Sequence, residues 1–517
     1  RTAELRRKLP KQDYHQQVPQ SPEQLLTVQM EVRKADFPVI VVFAGVDGAG
    51  KGETVNQLHE WLDSRWLVAR AFSEPSDEER DRPEYWRFWR ELPSKGRMAL
   101  FLSSWYSMPI LDHVYGHIGL AEFDERLERI KAFEKTLADD GALILKFWMH
   151  LSREAQKDRL RKLEKNPLLH WRISKRDWQH WELYDQFMAA AERTIMKTST
   201  GLAPWKIIEG YDERYRSIAV ATIIRDAIRF RLDEAGKASI GSNGDASARS
   251  KPAATEVGDS LPVTILSRLD MSKTLAKSDY EADLKRYQAK LNQLQRAARE
   301  HKVSTILVFE GWDAAGKGGS IRRITAALDA RDYQVIQIAA PTDEEAAHNY
   351  LWRFWRHIPR AGKVTIYDRS WYGRVLVERI EGFAGTREWQ RAYAEINDFE
   401  AQLVEGGIVL LKFWLHITSD EQLCRFKERE QISYKAWKLT EEDWRNRERW
   451  ADYEMAVNDM IERTSTRQAP WTLVEANDKR YARIAVLRML CERLEAALVS
   501  HSGRVRSNHK DAKLSKV

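Results

Sequence analysis

Nine residues at Gly45–Glu53, GVDGAGKGE, return as GWDAAGKGG at Gly311–Gly319, 266 positions further along a chain of 517 residues. The same offset carries Trp86-Arg-Phe-Trp89 onto Trp352-Arg-Phe-Trp355, Trp105-Tyr106 onto Trp371-Tyr372, and Lys146-Phe-Trp148 onto Lys412-Phe-Trp414. It also carries Asp177-Trp178 onto Asp443-Trp444 and Pro204-Trp205 onto Pro470-Trp471. Seven tryptophans of the first copy meet a tryptophan in this way, with no insertion between Gly45 and Trp205, so the chain is a duplication. Copies longer than roughly 200 residues can each close a core, which makes this a tandem of two domains rather than a solenoid. The expected boundaries are an N-terminal extension at 1–20, a first domain at 21–233, a flexible linker at 234–260, a second domain at 261–500 and a basic disordered tail at 501–517. The linker assignment rests on a Gly, Ala and Ser composition almost without large apolar side chains.

Inside each copy, short apolar runs alternate with helical stretches: Val39 to Ala44, Met98 to Leu102 and Ala142 to Phe147 in the first, Thr305 to Phe309, Val364 to Tyr367 and Ile408 to Phe413 in the second. Strands alternating with helices predict an α/β fold, a parallel sheet between helices, with a site at the carboxyl ends of the strands.

The run ending at Glu310 leads into G-x-x-x-x-G-K at Gly311, Gly316 and Lys317, followed by a helix that opens near Gly318 and Gly319. This is a Walker A loop in its proper setting: glycines let backbone N–H groups converge on phosphate oxygens, the helix N-terminus adds its dipole, and the lysine adds a full charge. Gly318 occupies the place where most such loops carry the Ser or Thr that holds Mg²⁺. Ser320 or Asp313 is then expected to take over part of that task. About 50 residues on, Asp368 closes the next buried run, where a Walker B carboxylate reaches the metal beside the phosphates; Arg369 and Arg374 add positive charge there. Arg425, Arg429, Lys435 and Lys438 follow the third run and suggest a helical lid over phosphates, although interleaved Glu428 and Glu430 also suit a solvated helix face. Trp352, Trp355, Trp414, Trp444 and Trp471 are expected in the cores, while Trp312, inside the loop of the second copy only, is placed to meet substrate.

Composition narrows the function classes. At 43% hydrophobic and 31% charged residues the chain has the balance of a globular protein. No run approaches 18 apolar residues and the polar first 20 residues carry no apolar secretory core, so a cytoplasmic protein without a membrane partner is expected. Cys424 and Cys491 have neither metal-site nor disulfide spacing and are expected to be buried and inert. A formal charge of +7 and a pI near 9.1 favour polyanionic partners without choosing among them.

Taken together, GWDAAGKGGSI, HNYLWRFW, YDRSWYGRVLVE, LLKFWLHI and the WKLTEEDW segment resemble the second polyphosphate kinase family from about Leu261 to Leu498. The resemblance implies Mg²⁺ as cofactor and inorganic polyphosphate as phosphoryl donor to a nucleotide. Tandem members with a degenerate first copy imply AMP as acceptor, with ADP formed. Nucleic acid is not an expected partner, and a homo-oligomer is left open. By resemblance the loop lysine is Lys317, the loop aspartate Asp313, the Walker B pair Asp368 and Arg369, a following acid Glu378, and the lid cations Arg425, Arg429, Lys435 and Lys438. Asp313 and Asp368 are the implied metal ligands.

The first copy keeps Asp47, Gly50 and Lys51 but has Leu102, Ser103 and Met108 opposite Asp368, Arg369 and Arg374, and Leu163 and Leu169 opposite Arg429 and Lys435. Arg159 and Arg172 stand opposite Arg425 and Lys438. A catalytically weak first domain is expected, with phosphate binding open. The competing readings are an ATP-dependent kinase of the thymidylate kinase type, whose loop GVDGAGKGE also resembles, transfer from polyphosphate to a nucleoside diphosphate, and a non-enzymatic polyanion-binding protein.

Overall fold

The strands obey the 266-residue offset without exception. In the first copy β1 (Val39–Gly45), β2 (Leu67–Ala71), β3 (Met98–Leu102), β4 (Leu143–His150) and β5 (Trp205–Glu209) line up with β6 (Thr305–Gly311), β7 (Tyr333–Gln337), β8 (Val364–Asp368), β9 (Val409–His416) and β10 (Trp471–Glu475). The computed structural model describes residues 4–17, 20–168, 170–241, 264–431 and 441–514. Its strands form two five-stranded parallel sheets, ordered β2-β3-β1-β4-β5 and β7-β8-β6-β9-β10. Central β6, TILVFEG, is buried from Thr305 through Glu310, as a parallel strand covered on both faces must be. From β6 the chain builds β7 and β8 to one side and then β9 and β10 to the other. The carboxyl end of β6 is therefore the topological switch point where such sheets bind ligands.

Two compact units result: Arg1–Pro75, Arg87–Ala254 and Asp343–Asn349 in one, Ser76–Trp86, Thr255–Thr342 and Tyr350–Val517 in the other. A helix at Glu213–Gly241 enters the segment expected to be a linker, and 242–260 of that segment lies outside the described residues. The last helix, Lys479–Leu514, continues through most of the expected disordered tail. Past Gly503 that stretch contains neither Gly nor Pro to stop a helix already under way. Cys491 is buried as expected, but Cys424 is exposed, which corrects the expectation that both are buried.

Each core is organised around a buried ion pair. Lys412 Nζ donates to Glu400 Oε2 (2.7 Å), the Tyr372 hydroxyl (2.8 Å) and Thr464 O (2.8 Å), while Glu400 Oε1 accepts from Trp371 Nε1 and the Tyr372 hydroxyl. Lys146, Glu134, Tyr106, Thr198 and Trp105 repeat it bond for bond. A buried charge needs such full satisfaction. The Lys-Phe-Trp and Trp-Tyr motifs shared by the copies are thus scaffold. Trp352, Trp355, Trp414 and Trp471 are buried as expected, whereas Trp444 is half-buried, its ring edge-on to Phe426 at 5.2 Å.

Candidate active site

Strand β6 delivers the loop. Gly311 has φ +146°, and a Cβ there would lie 2.5 Å from Leu415 O of β9, so only glycine lets the loop leave the sheet this close to its neighbour. Gly316, at φ +110°, caps the helix Lys317–Thr325. Lys317 Nζ folds back to donate to Gly311 O (2.7 Å) and Trp312 O (3.3 Å), bonds that an incoming phosphate can replace. Gly318 faces solvent while Ser320, two residues on and so on the opposite side of the helix, is buried. Ser320 therefore does not stand where the missing hydroxyl would, and the expectation that it substitutes for it is corrected.

Asp368 ends β8 beside Phe309 of β6. Its carboxylate makes no hydrogen bond or ion pair with a described residue. Arg369 follows in the left-handed region (φ +65°), its N–H bonded to Phe309 O, and its guanidinium reaches back across the sheet end to Asp313 Oδ1 (3.0 Å). A non-glycine residue in this conformation costs of order 1 kcal/mol and turns the side chain over the loop. Asn446 Nδ2 donates to the other Asp313 oxygen (3.1 Å). Burial pulls the Asp313 carboxyl upward, but the charges of Lys317 and Arg369 and these hydrogen bonds outweigh it and hold it below the ordinary range. The loop aspartate is thus bonded to Arg369 and feels the charge of Lys317, and Asp368 ends the strand next to the one that delivers the loop.

Arg425 does not belong to a lid. It is 2% exposed, and all its N–H groups are occupied: Nη1 by Ala314 O and Ala315 O, Nη2 by Ala476 O and Asn477 O, Nε by Glu421 Oε1. It clamps the phosphate loop to the turn after β10, so its assignment to polyphosphate is corrected. Arg429 is half-buried near the end of the same helix, Ser419–Glu430, without an ion pair to a described residue. Lys435 and Lys438 lie outside the described residues. Arg374 pairs with Glu378 (3.1 Å) and lies over the Tyr350 ring, and burial raises the Glu378 carboxyl against the pull of Arg374 and Arg353. The structure shows no direct bond from this pair to the loop. Trp312 is buried and stacked on Trp450 at 3.6 Å and 7°, its N–H given to His416 Nδ1, which corrects the expectation that it meets substrate.

Sequence reasoning missed Glu310. Its side chain, 5% exposed, accepts from Ser370 Oγ (2.7 Å), and burial raises its carboxyl against the pull of Ser370, Lys317 and Arg369. The available signal was an acid ending an apolar strand where the first copy has Ala44.

The first copy shows what the same scaffold does without these groups. Ser103 keeps the left-handed turn (φ +52°) but brings no cation. Asp47 is held by His180 and lies 3.5 Å from Lys51. Arg159 is spent on Glu53, which also binds Arg216 (2.7 Å).

Among the described residues no three His, Cys, Asp or Glu side chains are grouped to hold a metal alone. A divalent ion bound by one or two carboxylates, waters and substrate phosphates needs no such group, and the unpartnered carboxylate of Asp368 fits that donor set. No described helix is long and apolar enough to cross a membrane.

The family model for polyphosphate kinase 2 matches residues 8–235 and 274–502. The chain is 49% identical over 498 residues to the polyphosphate:AMP phosphotransferase of Pseudomonas aeruginosa, spanning 96% of this chain and 98% of that one. It is 38% identical over 463 residues to the enzyme of the same name from Acinetobacter johnsonii, spanning 89% and 91%. The crystal structure of a Pseudomonas aeruginosa protein assigned to polyphosphate kinase 2 superposes with a TM-score of 0.84 at 47% identity, covering 96% of this chain and 98% of that one.

Proposed function

The chain belongs to the polyphosphate kinase 2 family, and from that premise we propose that it transfers a phosphoryl group from inorganic polyphosphate to AMP, giving ADP, with the second repeat (261–500) carrying the reaction. The observation that carries this assignment is the Arg369–Asp313 ion pair on the loop of Lys317, with Asp368 ending the neighbouring strand, where the first repeat (21–233) has Ser103 and Leu102.

Phosphoryl transfer proceeds through a loose transition state, so positioning and charge neutralisation supply most of the catalysis. Backbone N–H groups from Gly316 to Gly319 cradle donor phosphates. Lys317 exchanges the carbonyls of Gly311 and Trp312 for a phosphate oxygen, and Arg369 shares its charge between Asp313 and the transferred group. Arg425 holds the loop rigid from below. The AMP phosphate, with a second pKa near 6, is largely ionised at neutral pH and needs little general-base help. Asp368 with Asp313 would hold Mg²⁺, which would supply charge neutralisation beside the phosphates. The first repeat serves as support, its loop engaged by its own Asp47.

The test is ADP formation from AMP and Mg²⁺ with either polyphosphate or ATP as donor, and with ADP offered as a rival acceptor. Activity with polyphosphate and AMP that vanishes in Asp368→Asn supports the assignment. Activity with ATP alone, or activity that survives in Asp368→Asn, overturns it.

A further inference from the structure

The helix that follows the phosphate loop opens on bare backbone. Nothing lies within 4 Å of where a Gly318 side chain would start, and a Cβ at Gly319 would stand 3.4 Å from Arg483 Nη2 and 3.7 Å from its Nε. Arg483 reaches this spot from the second turn of the helix Lys479–Leu514. It is half-buried and makes no hydrogen bond or ion pair with a described residue, whereas Lys479, one turn earlier, pairs with Glu428 (3.6 Å). A guanidinium has five N–H donors, and one held over bare backbone without an acceptor keeps them for an anion from solution.

The duplication supplies the contrast. The first repeat has Glu53 in place of Gly319 and Ser217 in place of Arg483. Glu53 takes Arg159 (2.6 Å) and Arg216 (2.7 Å), so the first turn of that helix is covered by an acid and its own cations. The repeat that carries Asp368 and Arg369 instead leaves the same turn open beside an unpaired arginine. Gly319 lies two residues past Lys317, about 3 Å along the helix axis. A donor with more phosphates than the loop lysine holds therefore meets a second full charge on this turn.

We propose that Arg483 is a donor-binding residue: over Gly318 and Gly319 its guanidinium takes a phosphate of the polyphosphate chain beyond those held by the loop. This deepens the reading of polyphosphate as donor to the second repeat, and rests on it.

Binding of end-labelled long-chain polyphosphate to the full chain, followed by fluorescence anisotropy without acceptor, tests this apart from turnover. A Lys51→Ala background keeps the first loop from masking the second. There Arg483→Gln is expected to raise the dissociation constant about tenfold, the effect of losing a hydrogen bond to a charged group. Tm should not change, because no protein group loses a partner. Arg483→Lys keeps the charge and loses the fork, and should fall between the two. Arg488→Gln removes an exposed cation elsewhere on the same helix and should bind within about twofold of its background. In steady state, Arg483→Gln should raise the KM for polyphosphate and leave that for AMP within about twofold. Unchanged affinity in Arg483→Gln, an equal loss in Arg488→Gln, or a fall in Tm in place of a loss of affinity overturns the proposal. A parent that binds no polyphosphate ends the donor reading and this one with it. A parent that binds it but forms no ADP from AMP ends only the acceptor reading, and the binding series still decides the role of Arg483.

Discussion

Lys412 Nζ stands 2.7 Å from Glu400 Oε2, and Lys146 Nζ stands 2.7 Å from Glu134 Oε2 in the other repeat. The second repeat carries Asp368 and Arg369 where the first has Leu102 and Ser103, yet both keep this pair. The pair is therefore tied to the fold and not to the chemistry. Lys412→Met, which leaves Glu400 buried without its cation, should cost about 3–5 kcal/mol, and Lys146→Met should cost the same. Chemical denaturation of each variant measures both values. A much smaller cost in the first repeat would mean that its core tolerates what the second does not.

Asp368→Asn should lower ADP formation by about a hundredfold or more with little change in Tm, because the carboxylate supports no described hydrogen bond. Putting Leu102→Asp and Ser103→Arg into an Asp368→Asn chain should not rescue it. Asp47 is already taken by His180, and Met108 stands where the second repeat has Arg374. ADP formation by that triple variant above the Asp368→Asn background would show the first loop to be competent.

His416 Nδ1 accepts from the indole N–H groups of Trp312 (3.1 Å) and Trp414 (3.4 Å), which only a neutral ring can do. Burial pushes its imidazole down to about 4. The unfolded chain takes up this proton near 6.5 and the folded chain only near 4, so between those values acid favours unfolding. Tm of the parent protein should fall as pH drops from 6.5 to 4, this one group contributing up to about 3 kcal/mol, and the slope should be shallower in His416→Gln. Equal slopes would refute the assignment.

Arg425→Lys replaces a five-donor fork with a single ammonium and cannot reach four carbonyls on two loops. Stability and kcat should fall together, by about 2–4 kcal/mol and at least about tenfold. A lid cation would instead raise the KM for polyphosphate and leave Tm unchanged.

The phosphate loop, the α/β class and the position of Asp368 were legible because each is local: glycine spacing, apolar runs and an acid at a strand end. β2 and β7 were not, since Arg70 and Gln334 lie in edge strands with little burial and no apolar signature. Arg425 reads as one more charge in a mixed helix, and only its partners more than 50 residues away reveal a clamp. Asn446 is equally silent, because its bond to Asp313 spans 133 residues. Glu310 was within reach of a position-by-position comparison of the copies, but an acid before a glycine turn draws no notice alone.

The stack of Trp312 on Trp450 joins the phosphate loop to the helix Trp450–Thr464. Two indoles face to face at 3.6 Å couple their electronic transitions and give a circular-dichroism couplet that isolated tryptophans lack. The first repeat has Val46 and Tyr184 at these positions and so lacks this stack. The chain therefore carries a built-in optical gauge of one loop, readable without a label as donor is added.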